Sequence, residues 1–168
     1  MQKLLVNIIG NIGVGKTTLL NAIKPQFKQA DYFHIDQYRK KYKADTFVKE
    51  QITWEHLRQD IHNSQLAILE SSGTSLSLES LIKSFKFTGG KVITILIDGT
   101  PEECLRRATH RGFENPYFTK AYSLEDSILH INQQLQKITP DHTINFHELT
   151  LEQSQLIFKG IIYDNLPK

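Results

Sequence analysis

The stretch Gly10-Asn11-Ile12-Gly13-Val14-Gly15-Lys16-Thr17-Thr18 constrains this chain more than any other. It satisfies the pattern G-x-x-x-x-G-K-[ST] through Gly10, Gly15, Lys16 and Thr17, four fixed positions that coincide by chance in about one chain of this size in a hundred. Its context has physical meaning as well. The apolar run Leu4 to Ile9 before it suits a buried parallel strand, and Thr17 to Ile23 after it reads as helix. Glycines reach backbone angles closed to other residues, so successive N–H groups can turn inward around phosphate oxygens. The start of the following helix adds partial positive charge. Gly10, Asn11, Gly13, Val14 and Gly15 are therefore expected to form a phosphate cradle. Lys16 is expected to reach the outer phosphates, Thr17 to offer its hydroxyl to Mg²⁺, and Thr18 to add a hydroxyl to the innermost phosphate. A dinucleotide fingerprint read from Gly13 and Gly15 would need glycine at position 18, where Thr18 stands.

Beyond the loop, strand-like and helix-like segments alternate to the end of the chain, which favours a parallel sheet with helices on both faces. Strands are expected at 3–9, 31–35, 65–70, 91–97 and 142–146, and helices at 16–24, 46–63, 74–86, 101–111, 122–138 and 151–163. A partly helical basic stretch runs through Lys43. Phe47, Trp54, Leu57 and Ile61 recur at helical spacing and are expected in the core. Leu124, Ile128, Ile131, Leu135 and Ile138 form a second stripe, either core or a dimer seam. The strand at 91–97 is the most apolar and is expected to be central. No repeat, low-complexity segment or Pro/Gly-rich linker divides the 168 residues, so one domain over 1–168 is expected, with a lid at about 106–120.

Composition excludes more than it selects. A net charge of +2 does not announce a polyanionic partner. The one cysteine, Cys104, excludes an intramolecular disulfide and suits a reducing compartment. No signal-peptide layout or membrane-length apolar run is visible, so a cytoplasmic protein without a membrane partner is expected, either a monomer or a homodimer. The seven histidines include no H-x-x-x-H pair and show no metal-ligand spacing.

In an open parallel sheet, ligands gather beyond the carboxyl ends of the strands. One such end carries His34-Ile35-Asp36-Gln37-Tyr38-Arg39, another Glu70-Ser71-Ser72-Gly73. Asp36 is the choice for orienting or deprotonating an attacking hydroxyl, with Arg39 three residues on to meet the same acceptor; the plain alternative is that Asp36 caps a helix. Glu70 is expected to serve Mg²⁺ or the acceptor, and Asp98 imitates it at the end of a later strand. Arg107 and Arg111 share a helix face suited to clamping phosphate, with Arg106 beside them. Arg58 is a further candidate for acceptor binding. The run Arg39-Lys40-Lys41-Tyr42-Lys43 reads either as a contact for a polyanion or as a solvated helix face.

Taken together, these motifs resemble the P-loop nucleoside and nucleotide kinase superfamily. Gly10 to Leu19 looks like the phosphate loop of deoxynucleoside kinases, and Pro101 to Gly112 is similar to their post-strand helix and arginine-bearing lid. The resemblance implies an α/β three-layer fold, a five-stranded parallel sheet in the order 2-3-1-4-5, ATP with Mg²⁺, and a small acceptor, nucleoside or nucleotide. Two departures bear on the acceptor. Glu70 is followed by Ser71 and Ser72 where that family usually has arginine and serine. Asp36-Gln37-Tyr38-Arg39 looks instead like the Asp-x-x-Arg of polynucleotide 5′-hydroxyl kinases, which admits a nucleic-acid end as acceptor. Glu70-x-x-Gly73 imitates a GTPase switch, but no Asn-Lys-x-Asp guanine reader occurs.

Overall fold

The computed structural model describes residues 2–112 and 123–166. Five parallel strands, β1 (Leu4–Gly10), β2 (Asp31–His34), β3 (Leu66–Glu70), β4 (Lys91–Asp98) and β5 (His142–Asn145), form one sheet in the order β2-β3-β1-β4-β5. The helices are α1 (Lys16–Ile23), α2 (Ile35–Tyr42), α3 (Phe47–Asn63), α4 (Leu76–Phe87), α5 (Pro101–Arg111), α6 (Leu124–Leu135) and α7 (Leu151–Asn165). This is the three-layer arrangement and strand order that the resemblance implies. Of the expected lid, 106–111 is the end of α5, and everything from 113 to 120 lies outside the described residues.

The alternation of side chains along a strand builds two cores, one on each face of the sheet. Leu4, Val6 and Ile8 of β1 pack with Leu19, Leu20 and Ile23 of α1, Cys104 and Ala108 of α5, and Phe158 and Ile162 of α7. Leu5 and Ile9 face the other way, among Trp54, Leu57 and Ile61 of α3 and Leu78, Leu81 and Phe85 of α4. α6 serves both faces: Ile128 enters the first core, Ile131 and Leu135 the second, so its apolar stripe is core.

Two expectations are corrected. The central strand is β1, buried at every residue, whereas β4 alternates between buried and half-exposed positions. Apolar content alone does not rank strands, because a strand one step from the edge keeps an incompletely covered face. Phe47 shares the helical period of Trp54 but is 68% exposed. Period decides the direction in which a side chain points, not whether another element faces it there.

Helix starts are capped where the sequence supplies a hydroxyl. Thr46, Thr100, Ser123 and Thr150 each accept a hydrogen bond from a backbone N–H in the first turn of α3, α5, α6 and α7, and Thr150 with Gln153 completes a capping box. The two helices that follow β1 and β2 differ. The N-cap positions of α1 and α2 are Gly15 and His34, and neither supplies a side-chain cap. Their first-turn N–H groups stand at the carboxyl edge of the sheet, where an anion can take them. Among the described residues, no helix is long and apolar enough to cross a membrane.

Candidate active site

Three strand ends and one helix end converge. The loop after β1, the His34 to Gln37 segment after β2, Glu70 to Ser72 after β3, and Arg111 at the end of α5 line one cavity of about 220 Å³. Lys16, Thr17, Thr18, Asp36, Glu70 and Arg111 all belong to its wall. Residues up to a hundred positions apart meet there because parallel strands all end on the same side.

The loop holds a shape that favours glycine at three points, the first of them Gly10 with φ +156°. Gly13 has φ +77° and Gly15 φ +114°. A Cβ on Gly13 would run into the Cys104 carbonyl oxygen, and one on Gly15 would come within 2.6 Å of the Phe146 ring. Since a helix carbonyl cannot swing aside, Gly13→Ala is expected to destabilise the fold by at least about 2 kcal/mol, adding steric conflict to an unfavourable backbone angle. Thermal melting should fall by about 5 °C or more; an unchanged midpoint would show that the loop re-forms with a side chain there.

Asn11, fully enclosed, braces the loop from within. Its Oδ1 accepts from the Ile12 N–H at 2.8 Å, and its Nδ2 donates to the Ile128 carbonyl of α6 at 2.9 Å. Lys16 Nζ donates to the carbonyls of Gly10 (2.9 Å) and Asn11 (2.8 Å). Burial pushes the Lys16 ammonium below the usual lysine range, against the attraction of Glu70 and Asp36. The loop thus contains a costly charge whose hydrogen bonds are to neutral carbonyls, and anionic oxygens are stronger acceptors for it.

Glu70 is the best-held acidic group in the cavity. Its Oε1 accepts from the Thr17 hydroxyl at 2.7 Å, and its Oε2 lies 2.7 Å from His34 Nδ1. Burial alone would raise its pKa, but the His34 hydrogen bond, the Lys16 charge and the Thr17 hydrogen bond together hold it below the ordinary glutamate value. A charged carboxylate and a hydroxyl, side by side, are a donor set for Mg²⁺, which takes one or two protein oxygens and completes its octahedron with phosphate and water. Among the described residues, no group of three or more His, Cys, Asp or Glu side chains could hold a metal ion.

Asp36 stands in the first turn of α2, its side chain 54% exposed toward the cavity, with Oδ1 accepting from Arg39 Nη1 at 2.9 Å. The N-cap position of α2 is His34, so Asp36 is not the cap. Arg39 itself is buried behind Asp36. Its Nε and Nη2 donate to Glu50 of α3, Nη2 at 2.7 Å. Arg39 does not line the cavity; its ion pairs tie α2 to α3 and brace Asp36.

Of the other arginines, Arg111 lines the cavity and Arg107 does not. Arg107 donates to Glu103 at 2.7 Å and lies 5.9 Å from the centre of the Phe146 ring, against the outer side of the phosphate loop. Arg58 stands apart as well. It pairs with Glu55 at 2.6 Å in a groove between α3 and α4 and does not line the cavity. Asp98 is not in the cavity wall either; it accepts from the Gly99 N–H at 2.9 Å. Sequence reasoning missed His34, because the histidines were weighed only for metal spacing. It also missed Phe146, although the rule that singles out strand ends applies to β5 as much as to β2 and β3.

No protein-family model matches the chain, and no curated protein matches its sequence. Solved structures match nearly end to end. APE1195 is similar at 13% identity with a TM-score of 0.70, over 99% of this chain and 98% of that one. Shikimate kinase from Acinetobacter baumannii, in complex with shikimate, is similar at 14% identity and 0.63, over 99% and 97%. The Mycobacterium tuberculosis APS kinase CysC, in complex with AMPPNP and APS, is similar at 14% and 0.65, over 96% and 98%. At such identities the likeness is one of fold, and the fold is that of P-loop kinases.

Proposed function

We propose that this chain is a single-domain, ATP-dependent phosphotransferase that moves the γ-phosphoryl of ATP to a hydroxyl or phosphate of a small acceptor of the nucleoside or nucleotide class. The observation that supports this reading most is the meeting of Lys16, Thr17, Asp36, Glu70 and Arg111 in one cavity beside the phosphate loop. In this reading the N–H groups of residues 10–18 bind the phosphates. Lys16 leaves the carbonyls of Gly10 and Asn11 for the outer phosphate oxygens. Thr17 and Glu70 would hold Mg²⁺, whose charge would offset that of the bound phosphates. Asp36 orients the acceptor hydroxyl and takes its proton as the oxygen bonds to the γ-phosphorus and the bond to the bridging oxygen of ADP breaks. Arg111 adds a fixed positive charge to the transferring group. Gln37, Ser71 and Ser72 offer hydrogen bonds to the rest of the acceptor.

The test is a panel of nucleosides, nucleotides and short single-stranded oligonucleotides with a 5′-hydroxyl, each with ATP and Mg²⁺, reading ADP release. One small acceptor is expected to raise release at least about tenfold over background hydrolysis, a modest fraction of what aligned transfer supplies. Stimulation by oligonucleotides alone would move the acceptor to a nucleic-acid end. No stimulation by any acceptor, with no calorimetric binding of ATP, would remove the reading altogether.

A further inference from the structure

The His34–Glu70 pair is unexplained by phosphate binding alone. Its two members face each other across the β2–β3 register, so their side chains leave the sheet on the same side. They are 15% and 13% exposed, and Nδ1 of one lies 2.7 Å from Oε2 of the other. A pair that served only to join β2 to β3 would be better made of apolar side chains, since burying a carboxylate is costly even when it is paired. What the pair provides instead is direction. A carboxylate has two equivalent oxygens and rotates; here one lies against the His34 ring and the other accepts from the Thr17 hydroxyl, 2.7 Å away.

We propose that His34 is a positioning residue for Glu70: by holding Oε2 it aims Oε1 toward Thr17, and so sets how strongly the nucleotide site takes its divalent cation. The inference rests on the phosphotransferase reading above. Without the imidazole, Oε2 would lose the polar neighbour that stands 2.7 Å from it, leaving the Thr17 hydroxyl and the attraction of Lys16 to orient the carboxylate. Glu70 would turn away from Thr17, withdrawing an oxygen from the metal. Groups that orient metal ligands in this way commonly govern affinity by about 10- to 100-fold.

The experiment compares the parent chain with His34→Ala and His34→Asn, the latter keeping an N–H donor near the place of Nδ1. Calorimetric affinity for ADP is measured in EDTA and again in Mg²⁺, and the ratio of the two is the quantity read. In His34→Ala this ratio is expected to fall at least about tenfold while metal-free ADP binding stays within about twofold. His34→Asn is expected to keep the ratio within about threefold of the parent. Should thermal melting show His34→Ala unfolded at the assay temperature, His34→Leu, which fills the space without a donor, carries the same expectation. The proposal fails if the variants without a donor keep the parent ratio. It also fails if they weaken ADP equally with and without Mg²⁺, or if His34→Asn is as impaired as they are. A parent chain that binds no ADP in either buffer would overturn the phosphotransferase reading itself, whereas an unchanged ratio in a chain that binds ADP overturns only the role of His34.

Discussion

Lys16→Ala is expected to lower acceptor-dependent transfer by at least about a thousandfold while leaving the fold as stable as before. The first half follows from where charge develops. A transferring phosphoryl group spreads negative charge over its equatorial oxygens, and removing one aligned donor from such a site costs about a hundred- to a thousandfold; Lys16 also carries a full charge. The second half follows from the environment of the ammonium. Burial already weighs against its charge, so losing the ammonium also removes a desolvation cost that offsets the loss of its hydrogen bonds to the Gly10 and Asn11 carbonyls. The loop's shape rests on Gly13, Gly15 and the Asn11 bridge to Ile128, none of which the substitution touches. Thermal melting should therefore stay within about 3 °C of the parent, equivalent to about 1 kcal/mol for a chain of this size. Full activity in a folded variant would sever the loop from the reaction.

Asp36→Asn is expected to lower kcat by about a hundred- to ten-thousandfold, the range that a positioned general base supplies. The substitution keeps size and shape. Asparagine Oδ1 can still accept from Arg39 Nη1, which is itself held by Glu50, so the start of α2 should not move. Only basicity and charge are lost. As Asp36 lies in the first turn of α2, losing its interaction with the helix dipole is worth at most about 1 kcal/mol of stability. ATP affinity should change by no more than about threefold, and kcat and kcat/KM for the acceptor should fall together, the signature of a contact used in the transition state. Steady-state kinetics with the acceptor found in the panel, alongside calorimetry with ATP, reads both. Unchanged turnover would take Asp36 out of the mechanism.

The residues differ in how legible their roles are. Gly10 to Thr18 can be read from spacing because a phosphate cradle is local: consecutive amides, a glycine at each strained angle, and a helix start are all contained in nine positions. Asp36 and Glu70 are legible one step less directly, through the rule that parallel strands deliver side chains to a common edge. Arg39 and Arg58 mark where this reasoning stops. Both are cations at plausible spacing from an acidic neighbour, yet Arg39 is turned inward to Glu50, eleven residues away, and Arg58 outward to Glu55. Which partner an arginine takes depends on the packing of α2 against α3, and no local pattern carries that information. Phe47 errs for the same reason.

The sequence by itself determined that a glycine loop stands between a strand and a helix, and that strands and helices alternate around two apolar faces. It did so because backbone freedom, hydrophobic period and helix capping are properties of neighbouring residues. Only the tertiary structure decided that Phe146 closes on Gly15, and that His34 meets Glu70 with Thr17 on its other side. Those are matters of register and strand order, set by how the whole sheet packs, and a pairing across 36 residues leaves no periodic trace in the chain.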